Sequence, residues 1–221
     1  RDELGASVDQ GLMVTYAYRL LFDNSTLSFG IQGGIKYFDY DWSRMILLDP
    51  DYLFTPREIN RIVPDMNLGI YFESPRFFTG LSSKQLLENE YGKITDSEGN
   101  TSFSRLLRHF YLMAGAVFPV GENVGFRPSL LAKYVRNAPL QWDLNASLLF
   151  NKVFWVGASF RTKKAVAFLA EFRITDWARL GYSYDIYLDD LQSFNYGSHE
   201  IRLGFDLNIH NARIKNPRFF F

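Results

Sequence analysis

The sequence predicts an all-β chain, a transmembrane antiparallel β-barrel, and three observations carry that expectation. Apolar and polar residues alternate with period two in about eleven separate stretches, and none holds a convincing helical period over three turns. Aromatic residues make up 17% of the 221 residues, with 21 Phe and 13 Tyr, and many gather near the ends of those stretches. The connectors between stretches alternate between tight and long, the asymmetry expected where short turns lie on one rim and long loops on the other.

The stretches follow one another almost to the end of the chain. The first runs over Leu12–Leu21. Next, Leu27, Phe29, Ile31, Ile35 and Tyr37 share a face opposite Ser28, Gln32 and Lys36, with the glycines of "GIQGG" read as twist or close packing. Met66, Leu68, Ile70 and Phe72 alternate with Asp65, Asn67, Tyr71 and Glu73, and Phe77–Ser82 follows. Phe110, Leu112, Ala114, Ala116 and Phe118 form the next stripe, then Val124, Phe126, Leu130, Ala132 and Tyr134. In "APLQWDLNASLLF" the stripe is Leu140, Trp142, Leu144, Ala146, Leu148 and Phe150, and Leu149 is its one break. Phe154–Phe160, Val166–Ile174, Leu180–Ile186 and Ile201–Ile209 complete the series. Gln85–Tyr91 is the one place that suggests a turn or two of helix, inside a loop.

Phe22–Ser25, Ser74–Arg76, Pro119–Asn123, Asn151–Lys152 and Thr175–Trp177 read as the tight connectors. Tyr40–Pro64, Lys84–Ser104, Arg136–Pro139, Thr162–Lys163 and Leu188–Ser198 alternate with them and include the three longest. On this parity the tight turns face the periplasm, the long loops are extracellular and the C-terminus ends on the periplasmic side. An odd number of strands does not close a bacterial barrel with both termini there, so one or three further strands are expected upstream of Arg1.

For any single stretch a soluble β-sandwich strand reads equally well. Length favours the membrane. Several stretches run about ten residues, near the roughly 9–11 that cross a bilayer at a tilt, against about five or six for an average strand. Lys36, Asp65, Arg127, Lys133, Asp143, Arg173, Asp185, Arg202 and Asp206 lie on the polar faces, which suits a hydrated lumen. A mean hydropathy of -0.13 and the absence of any apolar run near 18 residues argue against membrane helices.

Lys plus Arg and Asp plus Glu are equal at 24 each, so no basic footprint for nucleic acid exists. The lack of cysteine removes thiol catalysis, disulfide scaffolds and Cys-based zinc sites. His109, His199 and His210 are not at ligand spacing, and no metalloprotease motif is present, so no metal and no cofactor are expected. Ser198 and His199 are adjacent and point to opposite faces of a strand, which weakens any catalytic dyad. Asp189–Asp190 reads as a solvated turn without calcium-loop spacing. The chain reads as non-enzymatic.

The long loops are apolar beyond what solvation requires. Tyr40–Pro64 holds Trp42, Leu47, Tyr52 and Phe54; Tyr91 and Phe103 lie in or beside the second loop, and Phe194 and Tyr196 in the third. Such a loop either folds into the barrel mouth as a plug or lid or forms a protein-docking surface, where aromatic anchors are favoured. These eight residues are the candidate partner-binding set.

The succession "RHFYLMAGAVF", "RPSLLAKYVRNAPLQWDLNASLLFNKVFWVGASFR", "LGYSYDIYLDDLQSFNYGSHEIRLGFDL" and "NPRFF" closely resembles the PorP/SprF family, outer-membrane proteins of the type IX secretion system in Bacteroidetes. The likeness is strong from Arg108 to Phe220, fair over "VTYAYRLLFDNSTLSFGIQGG" and weak through the two long loops. It implies about three missing strands and a barrel of about fourteen, with residues 1–210 as barrel and 211–221 as a periplasmic tail. It also implies an accessory role in export and surface display. The implied partners are outer-membrane lipid, a large secreted adhesin of the gliding-motility type or its C-terminal targeting domain, and periplasmic peptidoglycan-binding components. The family brings no catalytic residues. A small-solute channel is the alternative.

Overall fold

The computed structural model describes residues 2–4, 7–41, 58–95, 101–162, 165–188 and 197–206. They form fifteen strands and no helix: β1 (Asp2–Leu4), β2 (Ser7–Leu21), β3 (Thr26–Asp41), β4 (Glu58–Glu73), β5 (Phe77–Lys84), β6 (Glu90–Thr95), β7 (Thr101–Arg105), β8 (His109–Ala116), β9 (Phe118–Pro119), β10 (Val124–Val135), β11 (Gln141–Phe150), β12 (Phe154–Arg161), β13 (Ala165–Arg173), β14 (Ala178–Tyr187) and β15 (Ser198–Phe205). Each alternating stretch of the sequence becomes a strand over its described residues; Leu207 and Ile209 of the last stretch lie outside them. All but β6 and β7 join one antiparallel meander, β1-β2-β3-β4-β5-β8-β10-β11-β12-β13-β14-β15, with β9 continuing β8 alongside β10. Among the described residues no pairing links β15 to β1 or β2. β2 and β15 both run from the long-connector side to the tight-turn side, so they are parallel to one another across that gap.

The register carries one apolar face across the whole sheet, because directly opposed residues of an antiparallel pair project to the same side. Tyr18 faces Phe29, Phe29 faces Ile70, Ile70 faces Leu81 and Leu81 faces Leu112. Leu112 faces Ala132, and Ala132 faces Trp142. Further on, Leu144 faces Phe160, Phe160 faces Val166 and Val166 faces Ile186. This face is open: Leu12 is 70% exposed, Leu144 53% and Ile201 74%.

The other face is polar and carries the buried charges. Gln32 donates to Thr15 at 2.8 Å and accepts from Asn67 at 2.6 Å, a ladder over β2, β3 and β4. Lys36 pairs with Asp65 at 3.0 Å, and Asp143 pairs with Lys133 at 2.6 Å and Arg161 at 3.5 Å. Arg179 bridges Glu171 at 3.5 Å and Asp206 at 3.0 Å. Asp65 and Asp143 are buried, as a carboxylate tolerates when a cation meets it. Leu149, the break in the alternation of β11, turns inward on this face and is only 1% exposed.

Tight turns rest on local chemistry. The Phe22 N–H donates to Ser25 O at 2.8 Å, closing β2–β3. Asn151 and Lys152 take the left-handed region, φ 50° and 58°, to close β11–β12. Two expectations change on the long-connector side. β3 runs to Asp41 and β4 starts at Glu58, so the connector read as Tyr40–Pro64 narrows to 42–57; main-chain pairing from Tyr37↔Ile62 to Asp41↔Glu58 carries the hairpin outward. Gln85–Tyr91 is not helical. Gln85 and Glu88 adopt left-handed φ of 58° and 47°, which no right-handed helix accommodates, and the chain then enters the β6–β7 hairpin.

Candidate functional site

The rim at the long connectors is built on unequal strands. β2, β3 and β4 run 15, 16 and 16 residues, while β5 and β8 run 8. β5 pairs only with Leu68–Glu73 of β4, so among the described residues no strand pairs with the edge of β4 from Glu58 to Asn67, although β6 lies close to it. Bare edges invite pairing with another chain, and from Pro64 to Asn67 this one is blunted by three devices. Pro64 has no N–H, and its carbonyl points to the open edge, where Asn89 Nδ2 donates to it at 2.6 Å. The Met66 N–H is taken by Asp65 Oδ1 at 2.9 Å. The chain leaving β5 lies along the edge, with Leu86 N–H donating to Met66 O at 3.0 Å and Gln85 N–H to Asn67 Oδ1 at 2.8 Å.

That chain folds inward over the polar face. Phe38 and Val63 project there, beside Lys36 and Asp65, and with Leu106 they form a small buried cluster. Tyr91 lies against the cluster, its ring stacked on Phe38 with centroids 4.7 Å apart. Arg61 Nη1 donates to Glu90 O at 3.2 Å, Leu106 N–H to Asn89 O at 3.0 Å, and Arg108 Nη2 to Leu86 O at 2.7 Å. Arg105 Nε donates to Glu90 Oε1 at 2.9 Å across the hairpin base.

Of the candidate partner-binding residues, the structure places Tyr91, and it places it inward. Phe103 is in β7, opposite Lys93, and its side chain lies outside the described residues. Trp42, Leu47, Tyr52, Phe54, Phe194 and Tyr196 lie outside the described residues altogether, as do Asp189, Asp190, His210 and the 211–221 tail. The cluster partners Phe38, Val63 and Leu106 are not in the candidate set. For Phe38 and Val63 the signal is the loss of alternation in "YF" at Tyr37–Phe38 and "IV" at Ile62–Val63, where an apolar residue stands on the polar face because chain folded over it covers that face.

A second concavity lies on the same face toward the tight turns. Its cavity of about 460 Å³ is lined by Arg127, Asn145, Trp155, Glu171, Ser183 and Arg202 among others. The Arg127 guanidinium sits 4.7 Å from the Phe78 ring and 5.8 Å from the Trp155 ring, a cation held by two π faces. On the outer face, aromatic pairs mark the tight-turn end: Phe72–Phe77 at 5.4 Å, Phe118–Phe126 at 6.5 Å, Phe150–Phe154 at 6.3 Å and Trp177–Phe205 at 6.1 Å. At the other end stand Phe110–Tyr134 at 6.3 Å and the Tyr184–His199 stack at 4.6 Å. His199 Nδ1 is bonded to the Tyr182 hydroxyl at 2.7 Å, and His109 Nδ1 donates to Leu107 O at 2.8 Å. Among the described residues no group of His, Asp or Glu is arranged to hold a metal ion.

The family model for the type IX secretion system membrane protein PorP/SprF matches residues 1–205. The chain belongs to the PorP/SprF family. The match runs from β1 to the last residue of β15, so every described strand is part of the family's unit. No curated protein matches the chain. No helix among the described residues is long and apolar enough to cross a membrane.

Proposed function

We propose that this PorP/SprF protein is a non-enzymatic outer-membrane β-barrel that holds a secreted surface adhesin, through the adhesin's C-terminal domain, at its extracellular rim. The observation that carries the membrane part is the unbroken exposed apolar face bounded by two aromatic belts. The step of roughly eight residues from Phe126 to Tyr134 covers about 26 Å along a strand, which at a tilt of about 40° is about 20 Å of height, most of the apolar band of about 25 Å on barrels of this kind. The overlong β2–β4 strands support the docking part. A bilayer needs roughly 9–11 residues per tilted strand, so about five residues of each stand above it, some 16 Å of ordered strand and about 12 Å of height at that tilt on the long-connector side.

The adhesin reading is tested by deleting residues 42–57 and joining Asp41 to Glu58 through a short turn, which keeps the β3–β4 pairing. Co-purification of the surface adhesin from gently solubilised native membranes should fall at least tenfold. Undiminished retention would remove the rim from the proposal. The second reading, a small-solute channel, is favoured by the polar inner face and its cavity. Steady single-channel currents in planar bilayers from the unaltered protein support it, and a silent protein that carries an adhesin supports the first.

A further inference from the structure

We infer that residues 85–91 and 104–108 form a displaceable cover over the inner face at the long-connector rim. The charged and amide groups of the wall beneath are largely paired without them. Lys36 already neutralises Asp65 at 3.0 Å, the Met66 N–H is already capped by Asp65 Oδ1 at 2.9 Å, and Pro64 has no N–H to satisfy. The Thr15–Gln32–Asn67 ladder is likewise complete within β2–β4. Lifting the cover therefore strands no backbone donor at Pro64 or Met66. It frees the carbonyls of Pro64 and Met66, the Asn67 amide oxygen and the Arg61 guanidinium, all of which water can serve, and its apolar cost is the uncovering of Phe38 and Val63.

The cover itself is lightly held. It lies against β4 by scattered bonds, two of them the Asn89 amide on Pro64 O and Arg61 on Glu90 O, rather than by a strand ladder. Its apolar hold is the small Phe38, Val63 and Leu106 cluster with Tyr91. Two non-glycine residues at its entry, Gln85 and Glu88, sit in the left-handed region, a strain that the inward position keeps and release relieves. An element fixed by few contacts, with strain at its hinge, belongs to the part of a fold that opens locally. The inference stands whether or not the wall closes into a barrel.

The chain has no cysteine, so single thiols report access directly. Val63→Cys places a thiol under the cover and Leu87→Cys one on its exposed side, with Val63 5% and Leu87 48% exposed. With a water-soluble maleimide, Val63→Cys should react at least tenfold more slowly than Leu87→Cys. Adding Asn89→Ala and Tyr91→Ala should accelerate Val63→Cys about tenfold. Leu149→Cys, buried on the same face near the tight turns, should stay slow in that background. Equal rates for Val63→Cys with and without the loosening changes overturn the cover, and so does parallel acceleration of Leu149→Cys, which reports general unfolding. Acceleration confined to Val63→Cys supports it, including where the loosened protein passes no current in a planar bilayer.

Discussion

Asp143 of β11 reaches Lys133 of β10 at 2.6 Å along a cross-strand diagonal, and Arg161 of β12 stands directly opposite it. One carboxylate thus fixes two cations on the inner face of three adjacent strands. Its side chain is 8% exposed while Lys133 and Arg161 remain 27% and 38% exposed. Asp143→Ala leaves two like charges facing each other across the gap. Full burial would make that loss about 3–5 kcal/mol, and the open partners reduce it to roughly 1–3 kcal/mol. Urea unfolding in detergent micelles should show the loss, and Lys133→Met added to it should return part of the stability. An additive pair of effects would mean the ion pair contributes nothing.

The two adjacent glycines of "GIQGG" differ in kind. A Cβ at Gly34 would overlap the Leu12 carbonyl oxygen and lie 2.7 Å from Met13 Sδ, whereas Gly33 has nothing within 4 Å. Backbone does not give way as a side-chain tip does. Gly34→Ala should therefore cost at least about 2 kcal/mol, within the range of strained core substitutions, and Gly33→Ala should change stability by less than about 0.5 kcal/mol. Comparable unfolding midpoints for the two variants would contradict the close approach of β2 to β3 at Gly34.

At the β11–β12 turn, Lys152 holds φ 58° after Asn151 at 50°. A side chain in this region costs roughly 1–2 kcal/mol that glycine does not bear, partly offset by the greater freedom glycine has when unfolded. Lys152→Gly should raise stability by about 0.5 kcal/mol. Asn151→Val, which puts a β-branched residue at the same kind of position, should lower it by more than that. Thermal unfolding followed by the loss of heat-modifiable gel migration reads both.

Strand existence and facing were legible because period two is local. Leu140 to Phe150 declares its outer face without reference to any neighbour, and the register with β10 and β12 agrees. The exceptions were legible only as exceptions. Leu149 and Phe38 break the alternation, but a local pattern does not say what covers them. For Phe38 that cover includes Leu106 and Tyr91. Strand ends were less legible at β3 and β4 because the apolar positions shift by one residue there, from Ile35 and Tyr37 to Phe38 and Tyr40, while the pairing runs on through main chain to Asp41↔Glu58. The turn at Gln85 and Glu88 was invisible for a related reason: neither residue type favours a left-handed φ, so tertiary contact must impose it.

Leu144 and Asn145 are sequence neighbours on opposite faces of β11, and they decide which side meets lipid. Leu144 is 53% exposed on the apolar face, with Phe160 opposite it. Asn145 lines the inner cavity beside Ser129. If the apolar face meets hydrocarbon, an arginine there must be dehydrated or must deform the bilayer. Leu144→Arg then costs about 2–4 kcal/mol if it lies near the bilayer midplane. Asn145→Arg faces a polar concavity where water and Glu171 are available, and should cost less than about 1 kcal/mol, as ordinary polar-surface changes do. Refolding into lipid vesicles, followed by denaturant titration, separates the two. If the face were instead a soluble surface, Leu144→Arg would be harmless or would improve solubility. A penalty for Asn145→Arg larger than that for Leu144→Arg would turn the wall inside out.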